Sequence, residues 1–456
     1  MRHTTLAIAD ERQLVFGQAP KPVTTRRGLV FGGGLVYPEL NFTLPPMSIT
    51  AATMGEVREH YRSIVSEAID HARHLDAHGL VLEFETLLEL TQHPDWGVSV
   101  VELMEELCEK AWDEHHFPTA IRLTPNDLRE FDRPPKNRTS SYLDAMFELF
   151  ERGAAAGGDL LSIESTGGKE VHDEALMMCD LSGVVFSLAV LGVRDMAFLW
   201  PQIVEIAGKH GRIPGGDTAC GFANTAMVLA EQGFIPKTFA ALVRVISAVR
   251  TLVAVEVGAL GPDKDCGYEG PFLKAITGTP ISMEGAPSAC AHFSPVGNIA
   301  ACAADLWSNE SVQDVKLLAG MAPIVSLEQL EYDCRFFNQA TAAGPASALA
   351  VRNLLAGSDQ YHDPQALVLA PENVIAISKA IVSADSYVGA AIDAAGKALE
   401  IIKAATASGQ LELPEIEQPW PDMLGDALAA VPRDEGELTE QMLGAYGDKY
   451  LPAEYC

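Results

Sequence analysis

The chain has 456 residues, of which 48% are hydrophobic and 21% are charged, a composition typical of a globular protein with a large core. It carries 62 acidic and 32 basic side chains, which gives a formal net charge of −30. Such a surface repels phosphate backbones and anionic lipids, so we expect neither a nucleic acid nor a membrane as a partner.

Targeting signals and the spacing of cysteines indicate the cellular compartment of a protein. The N-terminal residues lack the apolar core and the small-residue cleavage pattern of a signal peptide. No run of about 18 apolar residues without a charge occurs. The eight cysteines are scattered and form no C-x-x-C pair, a pattern that favours a reducing compartment over a disulfide framework. We therefore expect a cytoplasmic protein.

Short apolar runs alternate with stretches of helical spacing through the middle of the chain. A helix is predicted at residues 53–78, after a lead rich in Pro and Gly. Eight strands are then predicted, at residues 79–84, 118–123, 159–164, 183–190, 211–217, 251–256, 280–284 and 323–327. Eight strands separated by helices are the number that closes an α/β fold of the (β/α)8 TIM barrel type. The alternative is an open doubly wound sheet, but the glycine-rich nucleotide turn typical of that fold is missing.

The two ends of the chain differ from this alternating pattern. Helices are predicted at residues 345–355, 371–383 and 385–408, and the acidic stretch 423–455 is expected to be a tail that wraps the surface. We therefore predict three parts. They are an N-terminal extension with a helix packing on the barrel (1–78), a catalytic barrel (79–340), and a C-terminal helical segment with an acidic tail (341–456).

Residues able to bind a metal follow several of the predicted strands. Glu164 ends the third strand, Asp217 ends the fifth, Cys220 follows the fifth, and Cys266 follows the sixth. In a TIM barrel these positions lie on the face that carries the active site. One carboxylate and two thiolates with an open fourth position are typical of catalytic zinc. Glu164, Cys220 and Cys266 are therefore candidate ligands of a zinc ion, with Asp217 as a candidate for orienting the site, although spacing alone is a weak signal in a barrel of this size.

Other candidates have weaker signals. Cys290 and His292, past the seventh strand, are a second possible metal pair, although a supporting or packing role is favoured. Glu85 and Arg122, on the first two strands, are expected near the barrel mouth, either lining a pocket or forming a structural ion pair. Phe222, beside Cys220, is expected to shape the pocket.

Four stretches resemble the zinc-containing subunit of methanol–corrinoid methyltransferases, and the likeness extends over nearly the whole chain. They are SIESTGGKEV (162–171), GGDTACGFANTAM (215–227), GALGPDKDCGYEGPFLKAITGTPISMEG (258–285) and CAADLWSNESV (302–312). The resemblance implies a TIM barrel with additional helices and a zinc ion bound by a glutamate and two cysteines, here Glu164, Cys220 and Cys266. It also implies a separate corrinoid-binding protein as the partner.

The activity implied by the resemblance is transfer of a methyl group from methanol to the Co(I) corrinoid of that partner. The sequence contains no D-x-H-x-x-G stretch of the kind that supplies a histidine to cobalt, so we expect the corrinoid on another polypeptide. Related subunits act on aryl methyl ethers, which makes O-demethylation the main alternative. Methylation of a thiol at a zinc barrel and a non-enzymatic scaffold are two further alternatives. We expect a homo-oligomer or a hetero-oligomer.

Overall fold

The computed structural model describes residues 3–264, 268–286, 294–312, 316–317 and 320–456. Its centre is a sheet of seven strands, labelled β1 to β7 in chain order: Tyr37–Thr43, Leu80–Glu85, Thr119–Thr124, Leu160–Ile163, Ile213–Asp217, Ser282–Glu284 and Leu306–Val312. The strands pair in the order β5-β4-β3-β2-β1-β7-β6, and every pair is parallel. The C-terminal ends of all seven strands therefore lie at the same end of the sheet.

Residues 260–263 fill the gap between the two edge strands β5 and β6. The N–H of Leu260 donates to the carbonyl of Pro214 in β5 at 2.8 Å, and the N–H of Ser282 in β6 donates to the carbonyl of Asp263 at 2.8 Å. This closing segment completes a barrel wall with eight positions, and the predicted (β/α)8 barrel is confirmed.

A glycine makes room for the closing segment. Gly216 in β5 has φ +149°, and a Cβ on it would lie 2.1 Å from the Oδ1 of Asp263. Any other residue at position 216 would push the closing segment away from the barrel wall. The register between β4 and β5 shifts just here, between Leu161 and Ser162.

The barrel interior contains an ion pair between Arg122 of β3 and Glu39 of β1, both almost completely buried. Arg122 also donates to the hydroxyl of Ser162 at 2.8 Å and to the carbonyl of Pro262 at 3.0 Å. Glu39 in turn accepts a hydrogen bond from Ser282. Arg122 thus ties together β1, β3, β4 and the closing segment inside the barrel and does not line the cavity at the mouth.

Five of the predicted strands coincide with barrel strands, but three are wrong. Residues 183–190, 251–256 and 323–327 lie in helices, and the remaining wall positions are filled by β1, the closing segment and β7. The first two runs belong to helices that are buried on all sides. Such helices are apolar all round, so hydrophobic periodicity does not distinguish them from buried strands.

The first barrel strand lies within the stretch predicted to be an N-terminal extension. β1 has the sequence YPELNFT, and the barrel therefore begins at Tyr37 and not at residue 79. Its polar residues Glu39 and Asn41 are buried, and Glu39 pairs with Arg122 inside the barrel, so the strand does not show a purely apolar pattern. The other boundaries stay predictions.

Helices surround the barrel and connect its strands. Those up to the end of the barrel are Met54–His74, Leu88–Gln92, Pro94–His115, Ser141–Ala156, Lys169–Met177, Leu181–Phe186, Val193–His210, Thr225–Glu231, Lys237–Glu256, Gly270–Thr277, Gly297–Ala301 and Ala322–Ala342. Two π-helical turns, Ser187–Gly192 and Cys220–Asn224, interrupt this pattern. Leu181–His210 and Lys237–Glu256 are long and apolar enough to cross a membrane, but 78% and 94% of their most apolar windows are buried in the fold.

The C-terminal part forms a helical layer beside the barrel. Its helices are Pro345–Asp359, Pro364–Leu369, Pro371–Ser383, Tyr387–Ala407, Trp420–Ala429 and Glu435–Tyr446. Tyr387–Ala407 packs on the barrel helix Lys237–Glu256. The stretch predicted to be a surface tail is therefore mostly helical, and it ends in the turn Pro452–Tyr455. Antiparallel strand pairs are formed by Gln18–Thr24 with Val30–Gly33 and by Lys316–Leu317 with Gly320–Met321.

Candidate active site

Carboxylates lie at the C-terminal ends of three barrel strands. Glu85 is the last residue of β2, Glu164 directly follows β4, and Asp217 is the last residue of β5. Glu85 and Glu164 line one cavity of about 140 Å³ at the barrel mouth, together with Thr124 and Gly221. Because the C-terminal ends of the strands carry the active sites of TIM barrels, this cavity is the candidate active site.

Lys264 brings three glutamates together at this mouth. Its ammonium nitrogen lies 2.9 Å from Glu83, 2.8 Å from Glu85 and 2.8 Å from Glu164, and its side chain is only 4% exposed. Lys264 is not among the site residues predicted from the sequence. Its place in the stretch GPDKDC, two residues before Cys266, is the one signal that pointed to it.

The charges of this cluster do not balance. Burial raises the pKa of Glu83 to about 7 and also raises the pKa of Glu164, although Lys264 acts in the opposite direction on both. For Glu85, burial alone would raise the pKa, but Lys264 and Asn41 more than offset burial and hold the pKa below its usual value. Among the described residues, Lys264 pairs with three carboxylates, and these four side chains carry a formal charge of −2 when all are ionised. Such a site favours a further cation or a retained proton.

The loop that carries Glu164 is anchored by buried polar groups. The hydroxyl of Ser165 donates to Asp217 at 2.8 Å, and Arg250 donates to the carbonyl of Ser165 at 2.6 Å. Asp217 also accepts the indole N–H of Trp200 at 2.8 Å and is completely buried. The structure therefore places Asp217 behind the loop, where it holds the residue next to Glu164.

Cys220 begins the second π-helical turn and is partly exposed. The amide of Asn224 donates to its sulfur at 3.2 Å, which favours the negatively charged sulfur that a metal ligand needs. The following residue, Gly221, lines the same cavity as Glu164. A thiol and a carboxylate are both ligand types that zinc accepts, and π-helical turns are frequent at functional sites.

Phe222 packs behind this turn. Its ring is 1% exposed and meets the ring of His172 edge-on, with centroids 4.9 Å apart. The guanidinium of Arg250 lies 4.9 Å from the centroid of the same ring. Phe222 therefore supports the Cys220 turn from inside and is not among the residues that line the cavity. His172 is also completely buried.

The remaining candidates Cys266, Cys290 and His292 lie outside the described residues. Within the part of the chain that the structure describes, no three His, Cys, Asp or Glu side chains form a group able to hold a metal ion. The complete zinc site with three ligands therefore stays a prediction. Glu164 lines the mouth cavity, and Cys220 directly precedes Gly221, which also lines it.

Comparison with known proteins identifies the family. The family model for the methanol-cobalamin methyltransferase B subunit matches residues 1–456. The methanol–corrinoid protein co-methyltransferase of Methanosarcina barkeri (strain Fusaro / DSM 804) is 37% identical over 450 residues, which cover 98% of this chain and 96% of that protein. The crystal structure of the methanol:cobalamin methyltransferase complex MtaBC from Methanosarcina barkeri matches with a TM-score of 0.94 and 36% identity, covering 100% of this chain and 99% of that chain. The chain therefore belongs to the family of methanol–cobalamin methyltransferase B subunits, and it is a methyltransferase.

Proposed function

We propose that this chain transfers the methyl group of methanol to the Co(I) corrinoid of a separate corrinoid protein. The observation that carries the proposal is the full-length match to a protein named methanol–corrinoid protein co-methyltransferase. The family match over the same residues and the matched methanol:cobalamin methyltransferase complex support it. In this reaction the carbon–oxygen bond of methanol breaks and Co(I) supplies both electrons of the new carbon–cobalt bond. The oxygen takes up a proton and leaves as water.

We also propose that Glu164, Cys220 and Cys266 hold a zinc ion at the barrel mouth. The donor types are those of catalytic zinc, and the excess negative charge around Lys264 favours a bound cation. When bound, zinc would act as a Lewis acid that makes the methanol oxygen a better leaving group.

The chain's own residues would bind and align the substrate. The cavity beside Glu164 is about 140 Å³ and is lined by polar groups such as Thr124 and Asn126, which suits a small alcohol. Lys264 would keep Glu164 in place, and the enclosed mouth would hold the methyl carbon in line with the attacking cobalt. Such alignment lowers the barrier by converting an encounter into a step within one complex.

The test mixes the zinc-loaded chain with its corrinoid partner, reduced to Co(I), and adds methanol or an aryl methyl ether separately. Formation of methyl-Co(III), followed by its visible absorption, is expected with methanol. Methylation with the ether alone would keep the chemistry and change the donor class. No methylation with either donor, despite bound zinc and a competent corrinoid, would overturn the proposed function.

The zinc assignment is tested separately by metal analysis of the purified chain. About one zinc per chain is expected in the wild type, and none in Cys266→Ala. Full methyl transfer by a zinc-free Cys266→Ala chain would contradict the ligand assignment and leave the donor unaffected.

A further inference from the structure

A tyrosine from the C-terminal helical segment reaches the loop that carries Glu164. The N–H of Gly168 donates to the hydroxyl oxygen of Tyr455 at 2.8 Å, across 287 residues of sequence. Gly168 lies between Glu164 and Lys169, which both line the mouth cavity. Tyr455 itself is 2% exposed, so the contact is shielded from water.

The neighbouring Glu454 holds a second loop of the barrel mouth. One of its carboxylate oxygens accepts the N–H of Arg138 at 2.6 Å and the N–H of Thr139 at 3.2 Å, and the other accepts the hydroxyl of Thr139 at 2.5 Å. These residues belong to the connection after β3, next to the loop after β4. The turn Pro452–Tyr455 thus fastens two adjacent loops of the mouth at once.

The Glu164 loop has little room to shift inward. Gly168 has φ +91°, and a Cβ on it would lie 2.6 Å from the carbonyl oxygen of Ser187, in the first π-helical turn. The helix Lys169–Met177 begins directly after it. Removal of the Tyr455 hydroxyl would leave the N–H of Gly168 buried and without a hydrogen bond, which costs free energy. Since inward movement is blocked, the loop can relieve this cost only by moving outward.

We propose that Tyr455 is a positioning residue for Glu164. It acts through Gly168, does not touch the substrate, and fixes the backbone of the loop so that the carboxylate stays at the metal site. The inference rests on the proposed function, in which Glu164 is a zinc ligand. In this proposal the turn Pro452–Tyr455 helps to retain the metal by fixing the Glu164 loop, in addition to packing in the C-terminal helical layer.

The test compares Tyr455→Phe with a matched control, Tyr446→Phe. Both variants remove one tyrosine hydroxyl from the same part of the chain. The hydroxyl of Tyr446 donates to Asp180 at 2.7 Å and, within the described residues, makes no hydrogen bond to the Glu164 loop. Each chain is loaded with zinc, and transfer of zinc to a coloured chelator is followed over time. We expect zinc loss about fivefold faster in Tyr455→Phe and unchanged in Tyr446→Phe, on the scale of one lost hydrogen bond.

Two further measurements separate positioning from general stability. The midpoints of thermal unfolding of the zinc-free variants are measured first. Zinc transfer is then followed at a temperature at which both variants remain folded. Excess zinc should restore kcat of Tyr455→Phe, because the loop defect weakens metal retention. Equal zinc transfer rates in the two variants would overturn the inference while leaving the proposed function intact. A wild-type chain that takes up no zinc would overturn the proposed zinc site, and this inference with it.

Discussion

The ammonium nitrogen of Lys264 lies 2.8 Å from a carboxylate oxygen of Glu164, so the carboxylate assigned to the metal is already paired with a cation. Lys264 comes from just beyond the closing segment, and Glu164 comes from the loop after β4. A metal ion at this site would lie close to the ammonium of Lys264. The lysine therefore sets part of the electrostatic environment of the metal.

We predict that Lys264→Met destabilises the zinc-free chain more than the zinc-loaded chain. Without the ammonium, the buried Glu83 and the partly exposed Glu85 and Glu164 repel one another, and loss of one partner from a charge cluster costs up to about 3–5 kcal/mol where it is fully buried. Bound zinc would replace part of the missing positive charge. The thermal midpoints of both forms, measured with zinc or with a chelator, check this difference.

Lys264→Arg is the matched control, because it retains the charge. It should unfold close to the wild type in both forms. Equal destabilisation of the zinc-free and zinc-loaded forms by Lys264→Met would show that the lysine and the metal do not share an electrostatic site.

Cys220→Ala is expected to lose zinc and to reduce methyl transfer by more than about 100-fold, beyond the typical effect of losing a residue that supports a ligand. The control is Cys179→Ala, which removes the other partly exposed free cysteine in the described part of the chain. Zinc content and the rate of corrinoid methylation are measured on both. Retention of one zinc per chain by Cys220→Ala would remove Cys220 from the ligand set.

Arg122→Met should destabilise the fold strongly without a direct effect on chemistry. The substitution leaves Glu39 buried in the barrel without its cation, at a cost of about 3–5 kcal/mol. Urea unfolding measures the change in free energy. The double variant Arg122→Met with Glu39→Gln removes the uncompensated charge and should recover part of the loss. A single variant as stable as the wild type would show that the ion pair does not hold the barrel together.

The stability of the chain should depend on the protonation of Glu331. Burial raises the pKa of Glu331 to about 7, although Arg335 acts in the opposite direction. Because the folded chain holds this proton more tightly than the unfolded chain, the contribution is fully present below about pH 4.5 and is lost as the pH rises through 7. Glu331→Gln should therefore stabilise the chain at pH 8 by up to about 3 kcal/mol and have little effect at pH 4.

Thermal unfolding of wild type and Glu331→Gln at the two pH values tests this dependence. Glu328→Gln on the same helix is the control, since the side chain of Glu328 is 44% exposed. A stabilisation of Glu331→Gln that is the same at pH 4 and pH 8 would contradict the titration of Glu331.

The barrel was predictable from the sequence, but not every strand of it. Short, mostly apolar runs predict β2, β3 and β4, and the segments GRIPGGD and PISME predict β5 and β6. β1 was missed because Glu39 and Asn41 interrupt its apolar pattern, and their partners across the barrel are not visible from local sequence. The run at 251–256 resembles a strand because its helix is buried on nearly all sides.

The site residues that directly end or follow a strand could be predicted from the sequence. Glu164 and Asp217 end or follow strands, so their position at the barrel mouth follows from the fold alone. Lys264 was not predicted, because its contacts with Glu83 and Glu85 join residues about 180 positions apart and depend on how the barrel closes. The burial of Phe222 also depends on long-range packing against Arg250.

The closing segment couples closure of the barrel wall to formation of the charge cluster at the site. Residues 260–263 complete the wall through hydrogen bonds to Pro214 and Ser282, and the very next residue is Lys264. An open form of the barrel would withdraw this lysine from Glu83, Glu85 and Glu164 in the same movement. Folding intermediates that lack the eighth wall position are therefore expected to be inert, and protection of the Leu260 and Asp263 amides from hydrogen exchange should appear together with the charge cluster.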